Sequence, residues 1–115
     1  MDIQVRTSDF SLRIIALYGA LPSNVAAQVI GKQLVRSGTS IGAHVREGKH
    51  SRSAAEMFSK VSVALQEAEE TRYWLDLLAK SGIVRQDRLA DIIQEADVLI
   101  AILFTSTKTL KRSLR

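Results

Sequence analysis

The sequence predicts an all-α fold, an antiparallel up-and-down four-helix bundle in a single domain of residues 1–115. Apolar residues recur at intervals of three and four along most of the chain, and no stretch alternates with the period of two that a strand requires. One proline in 115 residues favours long, uninterrupted helices. Breaks at Pro22, Gly48 and Gly82 divide the chain into segments of helical length.

The first two helices are unequal in length. The first is predicted over about residues 8–19, where apolar side chains recur at helical spacing from Phe10 onward. The second is predicted over residues 23–48, because Pro22 interrupts the chain and the serine and asparagine after it can cap a helix. We expect the short first helix to leave part of the bundle groove open.

The third and fourth helices complete the bundle. Residues 53–81 are predicted to open with the capping box Ser53-x-x-Glu56 and to end at Gly82. The fourth helix is predicted over residues 87–112. The expected apolar seams are Met57, Val61, Ala64, Ala68, Thr71, Leu75 and Leu78 in the third helix and Leu89, Ile92, Ile93, Ala96, Leu99, Ile100, Leu103 and Phe104 in the fourth.

These two helices carry more apolar surface than a single seam uses. The fourth is apolar on nearly all sides between Val98 and Phe104, and the third has a second apolar face that includes Phe58 and Trp74. A helix that is hydrophobic all round must be covered all round. The sequence therefore predicts that copies of this chain associate with one another.

The charge distribution is uneven along the chain. All 12 acidic residues lie at or before Asp97, and the four basic residues after it account for the net charge of +4. A second basic stretch lies around the end of the second helix. Candidate nucleic-acid contacts are Arg46, Lys49, Arg52, Lys108, Lys111, Arg112 and Arg115. Such residues can bind phosphates, or they can simply be solvated helix ends.

Composition also limits the cellular setting. The chain has no cysteine, which excludes a disulfide framework and suits a reducing compartment. No basic flank precedes an apolar run at the N-terminus, and the longest apolar run, residues 98–104, is too short to span a bilayer. We expect a soluble cytoplasmic protein without a membrane partner.

Two glycines lie one turn apart inside the second helix. Gly38 and Gly42 share a face with Leu34, Ile41 and Val45, so another helix can approach the backbone closely there. Each interior glycine costs about 1 kcal/mol relative to alanine, which close packing can offset. We predict that these glycines form a helix-packing notch.

Polar side chains on the adjoining face raise two chemical possibilities. Arg36, Ser40, His44 and Glu47 line up along the helix, which suggests a hydrolase. However, a hydroxyl within a helix usually bonds its own preceding carbonyl and has no oxyanion hole beside it. A polar layer between helices, formed with Glu67 and Glu70 of the third helix, is the preferred interpretation.

The second possibility is a metal centre. Glu47-x-x-His50 has the spacing found in di-iron bundles, and Glu67 and Glu70 would add carboxylates. That chemistry needs two Glu-x-x-His pairs, whereas the chain has only His44 and His50. We expect no metal, no cofactor and no enzymatic activity.

Two motifs carry a family resemblance. "GKQLVRSGTSIGAHVREG", residues 31–48, and "SKVSVALQEAEETRYWLDLL", residues 59–78, contain R-S-G-T-S-I-G-A and A-L-x-E-A-x-E-T-x-Y-W-L. The chain resembles the 23S ribosomal RNA intervening sequence proteins from about Leu21 to Ile83. It is similar, more remotely, to the accessory protein of diversity-generating retroelement reverse transcriptases.

This resemblance implies an up-and-down four-helix bundle that assembles as a homopentamer and binds nucleic acid. It also implies that Arg36, Ser40, Glu47, Glu67, Glu70 and Trp74 are buried polar and packing positions, with no catalytic residues among them. Two functional classes stay open: an oligomer that binds structured RNA or DNA, and an adaptor or scaffold that binds a protein, for example a reverse transcriptase.

Overall fold

Four α-helices make up the fold, which confirms the predicted all-α bundle. The computed structural model describes residues 2–114, and within that range it contains no strand. The helices are α1 (Ile3–Gly19), α2 (Val25–Lys49), α3 (Ala54–Lys80) and α4 (Gln86–Ser113). Together they form a rod with extents of 48 × 23 × 19 Å.

The start of α1 is the largest departure from the expected boundaries. It begins at Ile3 instead of residue 8, because the Asp2 side chain caps it by accepting a hydrogen bond of 2.9 Å from the Gln4 backbone N–H. The first turns are polar on several sides, so the apolar period does not reveal them. The bounds of α2, α3 and α4 lie within two residues of the expected ones.

Neighbouring helices run antiparallel. On the α2–α3 side, Arg36 pairs with Glu67, and further along α2 Glu47 pairs with Lys60, which lies earlier in α3. α1 packs along α2 and approaches α4 at only a few positions. The side of the bundle between α1 and α4 is therefore the most open.

The core is one continuous apolar cluster. The predicted seams account for most of it, and α3 contributes five of its residues between Val61 and Leu78. Two predicted seam residues are exceptions, because Met57 near one end of the bundle and Phe104 on the outer side of α4 are exposed.

One buried polar pair interrupts the apolar core. The Thr71 hydroxyl, which lies 2.9 Å from the Ser37 hydroxyl, is also 2.7 Å from the carbonyl oxygen of Glu67. Both side chains are fully buried between α2 and α3. Among the described residues, no buried side-chain polar atom lacks a hydrogen-bond partner, so the pair costs little desolvation.

Candidate nucleic-acid interface

The antiparallel topology gathers the candidate cations at one end of the rod. α2 and α4 both end there, and α1 and α3 both begin there. We call this surface the basic end and define it by six residues. They are Arg46, Lys49, Arg52, Lys108, Lys111 and Arg112, all exposed. The seventh candidate, Arg115, lies outside the described residues.

The two ends of the rod differ in charge balance. At the basic end the acidic residues are Asp2, Glu47 and Glu56. Glu47 lies 3.6 Å from the ammonium of Lys60, so part of this negative charge is already paired. At the opposite end the cations Lys80, Arg85 and Arg88 accompany the acids Asp76, Asp87 and Asp91. Only the basic end therefore carries a clear positive excess.

Local structure explains why cations occur at the basic end. Arg46 and Lys49 occupy the last turn of α2, and Lys111 and Arg112 occupy the last turn of α4, where positive charge offsets the partial negative charge of the helix C-terminus. The Lys108 ammonium lies 5.5 Å from the centre of the Phe104 ring. Helix stabilisation alone can account for these positions, so the feature that points to an anionic ligand is the positive excess of the whole end.

The predicted polar layer lies at the surface of the single chain. Arg36 pairs with Glu67 at 3.2 Å and with Glu70, and the Trp74 indole N–H donates to Glu70 at 2.9 Å. The side chains of Arg36 and Glu47 are 48% and 54% exposed, in contrast to the buried positions that the resemblance implied. Long side chains at the edge of the α2–α3 contact reach solvent, whereas the short Ser37–Thr71 pair does not.

The stripe of Ser40, His44 and Glu47 does not form a catalytic relay. The Ser40 hydroxyl donates to the Arg36 carbonyl oxygen at 2.7 Å, and His44 Nδ1 lies 2.8 Å from the Ser40 carbonyl oxygen instead of its hydroxyl. Within residues 2–114, no three His, Asp or Glu side chains are grouped to hold a metal ion.

The glycines of α2 lie directly against α1. A methyl group added at Gly38 would lie 3.0 Å from Ile14, and one at Gly42 would lie 3.3 Å from the Thr7 hydroxyl oxygen. Gly31, which the sequence analysis did not single out, faces the Tyr18 ring at 2.6 Å by the same measure. Its spacing of seven residues from Gly38 is the signal that would have identified it.

Two arginines outside the six residues of the basic end form ion pairs between helices. Arg6 of α1 donates two hydrogen bonds to Glu95 of α4, at 2.7 and 3.0 Å, and this raises the pKa of Arg6. Burial acts to lower the pKa of Arg72, but its hydrogen bonds to Asp97 and Asp76 outweigh burial and leave that pKa raised. Both guanidinium groups stay charged and bridge neighbouring elements.

An uncovered apolar stripe runs along the outer face of α1. Val5, Leu12 and Ile15 are 49%, 62% and 50% exposed, and their spacing of seven and three places them on one side of the helix. Val25 and Val29 at the start of α2 are also exposed. The sequence pattern predicted uncovered surface on α3 and α4, but most second-face residues of these helices are half-buried against the core.

No helix in the described part of the chain is long and apolar enough to cross a bilayer.

Comparisons with known proteins agree with the fold. The family model of the 23S rRNA-intervening sequence protein matches residues 1–105, a longer stretch than the motifs alone span. A crystal structure of a protein of unknown function from the S23 ribosomal protein family of Bacteroides thetaiotaomicron is similar, with a TM-score of 0.87 and 34% identity. The match covers 93% of this chain and 99% of that chain. Among proteins with curated functions, none matches.

Proposed function

The chain belongs to the 23S rRNA-intervening sequence protein family, and from that premise we propose that it is a homo-oligomer whose basic ends bind structured RNA. The observation that supports this proposal most strongly is the gathering of six cations from three separate segments at one end of the rod. The RNA backbone is the polyanion that such a surface fits.

The oligomer forms through the outer face of α1. Exposed Val5, Leu12 and Ile15 lie on one side of α1, where Ser8 and the exposed Asp9 separate Val5 from Leu12 and no charged residue on that side separates Leu12 from Ile15. Exposed apolar side chains grouped on one side of a helix are typical of an association site. By resemblance to the family, we expect five copies.

Assembly multiplies a modest charge. In a ring of parallel subunits every basic end lies on the same rim, so five copies of the chain present five of these surfaces to one RNA molecule. Linked sites bind far more tightly than one site alone, provided that the ligand can reach several of them at once. A folded RNA with closely spaced phosphates meets this requirement.

An experiment with matched variants tests this function. Fluorescence anisotropy follows a labelled RNA hairpin as the purified protein is added, and the titration is repeated at several salt concentrations. We expect the affinity to fall by more than roughly tenfold between about 50 and 200 mM salt, because bound phosphates release counterions.

Two double variants show whether the basic end is the contact. Lys111→Ala with Arg112→Ala removes two exposed cations from the basic end, and Lys80→Ala with Arg88→Ala removes two from the opposite end. We expect the first pair to weaken binding by at least about tenfold and to flatten the salt dependence, and the second to change neither substantially.

The alternative function is a protein-binding adaptor, which the exposed apolar side chains favour. RNA binding that ignores salt, or that responds equally to both double variants, would contradict the proposed interface. A protein partner that remains bound after nuclease treatment and after loss of Lys111 and Arg112 would support the adaptor instead.

A further inference from the structure

An apolar groove opens in the middle of the basic end. It has a volume of about 440 Å³ and lies between the first turn of α1, the last turn of α2, the first turns of α3 and the last turns of α4. It exists because the 17-residue α1 is much shorter than the 28-residue α4, so α1 does not cover the end of the bundle.

The lining of the groove is mostly aliphatic. Val45, Val61 and Leu103, which belong to the core, form its floor, and Met57 and Leu110 stand at its rim. Mostly apolar concave sites of this size, with a few polar groups, are typical of small-ligand pockets between helices. The groove therefore fits a compact, largely apolar group.

One wall of the groove is polar without being charged. Thr105, Ser106 and Thr109 of α4 line it, and two of their hydroxyls donate to carbonyl oxygens of their own helix. These are Ser106 to Ile102 at 3.0 Å and Thr109 to Thr105 at 3.1 Å. The hydroxyl oxygens can still accept hydrogen bonds, so this wall suits an occupant with N–H groups along one edge.

The surrounding charge selects an anionic occupant. Lys49 lines the groove, and Lys108, Lys111 and Arg112 lie on the adjacent turns of α4. Among the described residues that line the groove, Asp2 alone is acidic, and its carboxylate accepts the hydrogen bond that caps α1. A group with an apolar body, N–H donors at its edge and an attached negative charge fits here.

We propose that the groove receives one unpaired base of the bound RNA, while the cations of the basic end hold the neighbouring phosphates. This inference rests on the proposed RNA-binding function and adds to it a preference for RNA with a bulged or looped nucleotide. Bases that are already unpaired insert at the lowest cost, because no base pair has to be broken.

Two hairpins that differ by one bulged nucleotide test the proposal. We expect the wild-type protein to bind the bulged hairpin roughly fivefold to tenfold more tightly than the fully paired one, the size expected for burying one base against aliphatic side chains. Both affinities are measured by fluorescence anisotropy at the same salt concentration.

Two tryptophan variants, one that fills the groove and one outside its lining, test whether the groove holds the base. Thr109→Trp places an indole in the groove from an exposed helical position, and Ser113→Trp places the same ring one turn further along α4, outside the lining. We expect Thr109→Trp to abolish the preference for the bulge and Ser113→Trp to retain it. Thr105→Trp, also in the lining, serves as a second filling variant, and circular dichroism checks that each variant is folded.

The possible results distinguish a failure of base insertion from a failure of RNA binding itself. Equal, salt-dependent binding of both hairpins overturns base insertion and leaves RNA binding intact. A preference that survives both filling variants also overturns it, because the base then binds elsewhere. Absence of binding to either hairpin overturns the function and the inference together. Saturable decanoate binding that Thr109→Trp blocks, without any hairpin preference, assigns the groove to an anionic amphiphile and overturns the proposal.

Discussion

Two faces of α1 carry apolar side chains, and only one of them is covered within the chain. The inner face meets Gly31, Gly38 and Gly42 of α2 so closely that a single added methyl group would press on its side chains. The outer face presents Leu12 and neighbouring apolar residues to solvent. Two apolar faces of the same helix thus differ in burial, because only the inner face lies against the backbone of α2.

The inner face of α1 stabilises the fold of one subunit, and the outer face is left for contacts between subunits. The glycines of α2 allow α1 to pack closely within one chain, so this contact does not depend on another subunit. The outer face is complete only when another copy, or another protein, covers it. A helix attached closely on one side and open on the other is suited to join subunits without loosening the subunit fold.

A charge on the outer face should have the largest effect. We expect Leu12→Glu to reduce the mass in sedimentation from that of the oligomer to near the 12.7 kDa of one chain, because an acid cannot be buried in an apolar interface without large cost. The helical circular dichroism signal should be retained.

Tyr73→Glu is the control for that change. Tyr73 of α3 is also exposed, at 54%, but lies away from α1, so we expect the mass of this variant to equal that of the wild type. Dissociation by Tyr73→Glu, or an intact oligomer with Leu12→Glu, would place the interface elsewhere.

The inner face should respond to a single methyl group. Gly38→Ala would place its Cβ 3.0 Å from the branched side chain of Ile14, which is fully buried and cannot move aside. We expect a loss of about 1–3 kcal/mol in the free energy of unfolding. Urea unfolding at one fixed protein concentration measures this change, and an unchanged midpoint would show that the glycine contact is not tight.

The same substitution near the end of α2 should act in the opposite direction. At Gly48 an added Cβ would meet Lys60 and Val61 at 3.5 and 3.6 Å, which are ordinary contacts. We expect Gly48→Ala to stabilise the fold by up to about 1 kcal/mol, because alanine favours the helix. Urea unfolding of Gly48→Ala and Gly38→Ala side by side shows whether the space around each glycine decides if alanine stabilises or destabilises the fold.

The contact of α1 with α4 should matter least. Arg6 and Glu95 are partly exposed, and ion pairs near the surface are weak and screened by salt. We expect Arg6→Ala to lower the melting temperature slightly at low salt and not measurably at high salt. A large, salt-independent loss would show that this pair, and not the glycine contact, holds α1 in place.

The sequence predicted the bundle well wherever the helical spacing of apolar residues within one segment determines the structure. The seam of α3 from Val61 to Leu78 followed from spacings of three and four, and the cap at Ser53 followed from its motif. The early start of α1 was missed, because capping by Asp2 leaves no trace in the apolar pattern.

Features that depend on two helices at once were harder to predict. Whether Arg36 or Ser37 is buried depends on their depth in the α2–α3 contact, which differs between adjacent residues of one helix. The groove at the basic end depends on the relative lengths and positions of α1 and α4. The outer stripe of α1 was overlooked because its exposure reflects the absence of a fifth helix beside it, not its own composition.

The central claim is that the uncovered face of α1 joins copies of the chain and so makes the basic end multivalent. Multi-angle light scattering on the wild-type protein at micromolar concentration tests it most directly. We predict one species of five times 12.7 kDa, about 64 kDa. A mass near 12.7 kDa together with a cooperative melt would contradict the claim.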